Sequence, residues 1–274
     1  MTTTLRPTEP LQHNADGTRS RHYQVCVNGR PVGDLRLGTH PVFGAAVARI
    51  SGLRIEEPDR RRGRGTVAAL AAEEVARGWG CRRIETTVAD GAGPALRLAT
   101  ALGYLVRNRR MEKALGATPP ELPAGSRGRP MTAAEYGVWL AWSHERYFRS
   151  WAERGVPEAE ARARSERDHA RLLPDGPRSP NVVLSVLEHE NVPVGTLWVA
   201  ERDGGAYVYD VETDAAHRGN GHGRTLMLLA EGQAVAAGYR TIGLDVFADN
   251  APAERLCESL GYETRQFEMY KTLL

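Results

Sequence analysis

Residues 207–224 hold the side chains best suited to chemistry, with two carboxylates, Asp210 and Glu212, followed by the turn His217-Arg218-Gly219-Asn220-Gly221-His222-Gly223-Arg224. Glycines at 219, 221 and 223 remove three Cβ atoms where a helix pattern begins, so main-chain amides can close on an anion. The positive end of the helix dipole adds to that attraction. Arg218 and Arg224 bracket the turn and can supply charge-assisted bonds to phosphate oxygens. Asp210 and Glu212 lie on the strand that enters the turn, where a carboxylate can take a proton from a nucleophile. Strand alternation puts them on one face and Tyr207, Tyr209 and Val211 on the other.

A glycine-rich turn alone does not specify its ligand. A nucleotide-triphosphate loop needs Gly-Lys-Ser/Thr after the glycines, which is absent here. A dinucleotide fingerprint needs Gly-x-Gly-x-x-Gly, and Gly219-x-Gly221-x-Gly223 has the wrong last interval, although Asp245 lies near the distance at which that fold places its acid. What remains is Arg-x-x-Gly-x-Gly at a strand-to-helix junction, and it occurs twice. Arg60, Gly63 and Gly65 stand 158 residues before Arg218, Gly221 and Gly223.

The same offset pairs Gly80 with Gly238, Ile84 with Ile242, and Leu102-Gly103-Tyr104 with Leu260-Gly261-Tyr262. It also pairs Met111-x-Lys113-x-Leu115 with Met269-x-Lys271-x-Leu273. From 53/211 to 104/262, 18 of 52 aligned pairs are identical. The chain is therefore two copies of one strand–loop–helix–strand–helix–strand unit. Asn28-Gly29 marks a hairpin in the first copy, and strands at 182–187 and 193–200 turn at Glu190-Asn191 in the second. Before that hairpin the second copy alone carries two long helices. The first opens with the capping box Thr132/Glu135 and is expected to stop at Gly155; the second starts at Pro157. Trp139, Trp142, Tyr147 and Trp151 form a stripe on the first of them, which fits a helix pressed on a sheet or the wall of an acceptor pocket. Residues 116–130 hold four prolines and three glycines and read as a linker. The expected organisation is a domain over 1–115, the linker 116–130, and a domain over 131–274.

The repeated Arg-x-x-Gly-x-Gly loop resembles that of the GNAT superfamily of N-acetyltransferases. The later segment Asn250-x-x-Ala253-x-x-Leu256-Cys257-x-x-Leu260-Gly261-Tyr262 is similar to the family's second cofactor-side stretch. The resemblance implies an α/β fold, a mixed sheet flanked by helices, with two GNAT-like domains in tandem. It implies acetyl-coenzyme A as co-substrate, with its pyrophosphate on the amides of Gly219, Asn220, Gly221, His222, Gly223 and Arg224 beside Arg218. Its pantetheine arm would lie along the backbone of Val211 and Thr213 and against Asn250. Glu212 or Asp210 would act as base, with Tyr209 orienting the carbonyl or the acceptor. Cys257 departs from the family, which most often has a tyrosine acid there, and reads as a buried core thiol. The first copy departs further: Asn250 becomes Ala92, Asp210-Val211-Glu212 becomes Gly52-Leu53-Arg54, and the two front helices are absent. It reads as a degenerate domain retained for structure or for building the cleft.

The expected reaction is acetyl transfer to a primary amine of a small molecule, peptide or protein. The alternatives are a non-catalytic acyl-coenzyme A binding module and an enzyme using a longer acyl donor. A net charge of +2, with arginines interleaved among acids, gives no polyanion footprint, so no nucleic-acid partner is expected. Three scattered cysteines without Cys-x-x-Cys fit a reducing cytoplasm. No run approaches the length of a membrane span, and no apolar stretch follows the first residues. His217 and His222, five apart with no third ligand in sequence, do not make a metal site. A homodimer is compatible with the sequence and not specified by it.

Overall fold

The computed structural model describes all residues except 1, 16, 41, 42, 154, 155 and 274. The helix stop expected at Gly155 lies outside the described residues. The chain divides into two compact units, residues 1–109 with 265–274, and residues 110–264.

The first unit is built from β1 (Thr3–Pro7), β2 (Gln12–His13), β3 (Arg19–Val27), β4 (Arg30–His40), β5 (Gly44–Ile55), α1 (Arg64–Gly78), β6 (Arg83–Ala89) and α2 (Gly93–Ala101). Asn28 and Gly29 both take positive φ, 49° and 83°, the geometry that a two-residue hairpin turn requires. The segment before Tyr23 contributes β1 and the start of β3, which pair antiparallel from Thr3↔Val27 to Pro7↔Tyr23. Helix α1 turns Ala68, Ala72 and Ala76 onto the sheet, and these small side chains let its backbone approach closely.

The second unit holds the last residues of β7 (Leu105–Ala114), then β8 (Ser126–Pro130), α3 (Ala133–Ala152), α4 (Glu158–Leu172), β9 (Val182–His189), β10 (Val192–Arg202), β11 (Gly205–Thr213), α5 (His222–Ala236), β12 (Thr241–Phe247) and α6 (Ala251–Ser259). Its strands run in the order β7-β12-β11-β10-β9-β8. The β8 strand corrects the reading of 116–130 as linker throughout, since residues 126–130 pair antiparallel with β9. The alternation that usually reveals a strand is missing from Ser-Arg-Gly-Arg-Pro because it lies at the end of the sheet order. There, Arg127 and Arg129 reach Glu188 at 2.7 and 2.6 Å. The capping box at α3 is formed: Thr132 Oγ1 accepts from the Glu135 amide, and the Glu135 carboxylate accepts from the Thr132 amide.

The later residues of the last strand of each repeat, 110–114 and 265–272, sit in the unit of the other. β13 (Glu263–Thr272) pairs antiparallel with β6, from Gln266↔Ala89 to Thr272↔Arg83, while β7 adjoins β12. Met269 is 1% exposed in the core of the first unit, and Met111, its equivalent at offset 158, is fully buried in the core of the second. The ranges 1–115 and 131–274 follow the repeat, whereas the compact units cross it at both ends.

Candidate active site

At the end of β11 the chain enters the glycine turn. Gly219 and Gly221 adopt φ of 84° and 82°, a region that residues with a Cβ rarely enter, and Gly221 caps α5. Arg218 braces the turn by donating from Nε to the Thr213 carbonyl at 3.3 Å. Among the described residues, the amides of Gly219, Asn220, Gly221, His222 and Gly223 donate to no main-chain carbonyl, whereas those of Arg224 and Thr225 turn back to the Gly221 carbonyl. Five donors at a helix start, with an arginine at each side, make a cradle that fits a pyrophosphate. At Gly223 a Cβ would lie 3.5 Å from Leu256 of α6, an ordinary van der Waals contact, so α5 and α6 meet at this position.

The parallel strands β11 and β12 pair over three positions, Ala206↔Ile242, Tyr207↔Gly243 and Val208↔Leu244. Beyond them β11 pairs along its other edge with β10 as far as Thr213↔Gly195. The main chain of Val211 and Thr213 therefore leaves β12 along the edge that leads to the glycine turn. Asn250 caps α6, its Oδ1 accepting from the Ala253 amide at 3.2 Å.

The structure corrects which β11 side chains share a face. A bulge where β10 steps from Trp198 to Val199 pairs Trp198 with Asp210 and Val199 with Val208, making Tyr209 the extra residue. The register thereby flips, and Tyr207 shares its side with Asp210 and Glu212. Val208 packs under α5, while Tyr209 packs on the cluster of Trp139, Trp198 and Ala200 under α3 and α4. The Tyr209 ring stacks on Trp198 at 5.0 Å and meets Tyr207 edge-on at 4.9 Å.

Arg146 of α3, which sequence reasoning missed, joins the two carboxylates by pairing with both Asp210 and Glu212. Arg218 also lies 3.7 Å from Glu212. Trp139 Nε1 donates to Asp210 at 3.3 Å. Burial holds the Asp210 carboxyl above the usual carboxylate range, opposed by the Arg146 charge and the Trp139 bond. The aromatic stripe divides: Trp139 and Trp151 are buried, whereas Trp142 is 66% exposed. His169 of α4 is buried against Trp139 and Trp198, and burial pushes its imidazole down to about 4.

Cys257 is buried among apolar side chains, and its thiol is pushed up to about 11 by desolvation. His189 of β9 joins His222 at 5.1 Å between ring centres, and His217 lies 6.3 Å from His222. Among the described residues, no group of three or more His, Cys, Asp or Glu side chains is arranged to hold a metal ion.

The first copy keeps the loop's frame. Arg60 Nε donates to the Ile55 carbonyl at 2.7 Å as Arg218 does to Thr213, and Gly63 caps α1 with φ 72°. Where the second copy has His217 and His222, however, Asp59 and Arg64 form a buried ion pair.

A strand pair opening beside a glycine cradle, with a second helix closing on it, is the arrangement of an acyl-coenzyme A dependent transferase fold. The model of the Acetyltransferase (GNAT) family matches residues 2–104 and again 138–262. The chain belongs to the GNAT acetyltransferase family, with two such regions in tandem. It is 30% identical over 151 residues to the uncharacterized N-acetyltransferase YycN of Bacillus subtilis, covering 53% of this chain and 96% of the relative. Among solved structures it shares the fold of a GCN5-related N-acetyltransferase from Sphaerobacter thermophilus, with a TM-score of 0.61 and 20% identity over 92% of this chain and 80% of the other. It also shares the fold of a tandem GNAT protein from the clavulanic acid biosynthesis pathway, with a TM-score of 0.51 and 22% identity over 94% and 84%. Among the described residues, no helix is long and apolar enough to cross a membrane.

Proposed function

We propose that the second copy transfers an acetyl group from acetyl-coenzyme A to a primary amine of a small molecule or peptide, and that the first copy is a structural remnant of the same fold. The observation that carries this reading is the convergence on one strand, β11, of the amide cradle at its end, the diverging edge at Val211 and Thr213, and the carboxylates Asp210 and Glu212. The amides of Gly219 to Gly223, with Arg218 and Arg224, hold the pyrophosphate; the β11 edge and the Asn250 side-chain amide orient the pantetheine arm. Bound acetyl-coenzyme A supplies the thioester. Glu212, or the more buried Asp210, takes the proton of the acceptor ammonium, directly or through water, and Arg146 holds both carboxylates at that position. Tyr209, displaced from the strand register by the bulge, orients the acceptor. In the first copy Gly52, Leu53 and Arg54 replace the acidic strand, and among the described residues no counterpart of α3 and α4 precedes its strands. A cytoplasmic location fits the cysteine usage.

The test is thiol release from acetyl-coenzyme A across a panel of primary amines. Release with at least one amine, lost in Glu212→Gln or Asp210→Asn, is expected. A second reading, a non-catalytic acyl-coenzyme A binding module, is favoured by the buried, weakly acidic Cys257 where the family most often has a tyrosine. It predicts cofactor binding without release for every amine.

A further inference from the structure

Beyond their three paired positions, β11 and β12 diverge, and one side-chain pair sits at the first step of that divergence. Tyr207 Oη donates to Asp245 Oδ2 at 2.6 Å. The Tyr207 ring is 4% exposed and lies over Gly243, where a Cβ would come within 3.4 Å of Tyr207 Cδ2. Two guanidinium groups flank the ring: Arg202 lies 4.5 Å and Arg110 5.8 Å from its centre. Both are tied to carboxylates, Arg202 to Asp245 at 3.8 Å and Arg110 to Asp203 at 2.9 Å.

We propose that the Tyr207–Asp245 pair closes the acyl end of the β11–β12 cleft and restricts the donor to a short acyl group such as acetyl. The inference rests on the acetyl-coenzyme A reading above and adds the residues that set the chain length of the donor. An arm that enters from the glycine turn and runs back along β11 meets this pair where the strands join. An alkyl chain continuing past it must break the phenol–carboxylate bond and lie against two paired guanidinium groups. Stripping the buried Tyr207 hydroxyl of its partner is costly, and a long-chain site needs apolar walls rather than the partly exposed Arg110, Arg202 and Asp245. The first copy is joined at the equivalent residues, since Arg49 donates to Thr87 Oγ1 at 2.8 Å. There, though, the residue equivalent to Gly243 is the buried Glu85, so a ring over a glycine belongs to the second copy.

The experiment measures thiol release from acetyl-, butyryl- and octanoyl-coenzyme A, with an amine that supports turnover, for the wild type, Tyr207→Phe and Tyr207→Ala, alongside coenzyme A binding by calorimetry. In the wild type, kcat/KM is expected to fall at least about tenfold from acetyl to butyryl, the scale on which a closed pocket rejects added methylenes. Tyr207→Phe keeps the ring but loses the bond to Asp245, so its preference for acetyl is expected to shrink, though less than in Tyr207→Ala. Tyr207→Ala brings butyryl close to acetyl, a shift that a purely structural role would not produce. Equal use of octanoyl and acetyl by the wild type overturns the proposal. So does an unchanged chain-length profile in Tyr207→Ala with coenzyme A affinity retained; should that variant not fold, Tyr207→Leu takes its place. Failure of the underlying reading looks different, with no coenzyme A binding or no release from any donor, and it removes this inference as well.

Discussion

Lys271 Nζ lies 2.7 Å from Glu73 Oε2, a contact between the last strand of the second repeat and the first helix of the first. Its equivalent at offset 158 is Lys113 with Glu231, at 2.8 Å to both carboxylate oxygens. Each repeat thus neutralises the buried glutamate of the other: Glu73 is 1% and Glu231 4% exposed. Removing one partner of a buried ion pair leaves an uncompensated charge, so Lys271→Met is expected to destabilise the chain by about 3 kcal/mol. Glu73→Leu with Lys271→Met should recover most of that loss. Denaturant unfolding of the single and double variants checks both outcomes, with no loss in the single variant counting against the exchange.

The exchange also predicts that the halves stay together when the chain is cut between them. A protease site inserted at residues 117–119 and cleaved in the folded protein should leave one species in size-exclusion chromatography, because each unit depends on a strand from the other half. Separation into two folded halves would contradict the strand assignment.

The repeat was legible in the sequence because identical residues recur at one offset. The exchange was not legible, because Met-x-Lys-x-Leu is the same in both copies and either strand satisfies either glutamate. The glycine cradle was legible through φ, since only glycine sits comfortably at positions such as 219 and 221. The sharing of sides among Tyr207, Tyr209, Asp210 and Glu212 was not, because a one-residue bulge reverses alternation without altering composition. Arg146 and His189 approach the site through tertiary packing and carry no local signal. The strand at 126–130 was hidden by its polar composition.

Arg146 sets a pH dependence. Its charge lowers the Asp210 carboxyl, which burial raises. If Asp210 must be ionised for turnover, activity falls as pH drops through its raised value. Arg146→Met removes the lowering influence, so the acid limb of kcat/KM should move to higher pH. Glu212→Gln should lower kcat/KM by about a hundredfold or more if Glu212 is the base, with coenzyme A affinity unchanged. Rate profiles of the two variants decide between the carboxylates, and a limb that stays in place in Arg146→Met argues against Asp210.

His169 gives a stability prediction of definite sign. Its folded value of about 4 lies below the ordinary 6.5, so the unfolded chain binds the proton first on acidification. Its contribution is fully present above the ordinary value and is lost as pH falls from there toward 4. Thermal unfolding between pH 7 and pH 4 should show Tm falling more steeply in the wild type than in His169→Gln. Parallel curves would contradict the buried, neutral imidazole.

Calorimetric titration with coenzyme A tests the central claim most directly, in the wild type and in the variants Gly221→Glu and Gly63→Glu. A carboxylate at Gly221 occupies the cradle with negative charge and strains a residue whose φ is 82°. One coenzyme A per chain is expected in the wild type and in Gly63→Glu, and none in a folded Gly221→Glu. Unchanged affinity and stoichiometry in Gly221→Glu would contradict the assignment of the turn at 218–224 as the cofactor site.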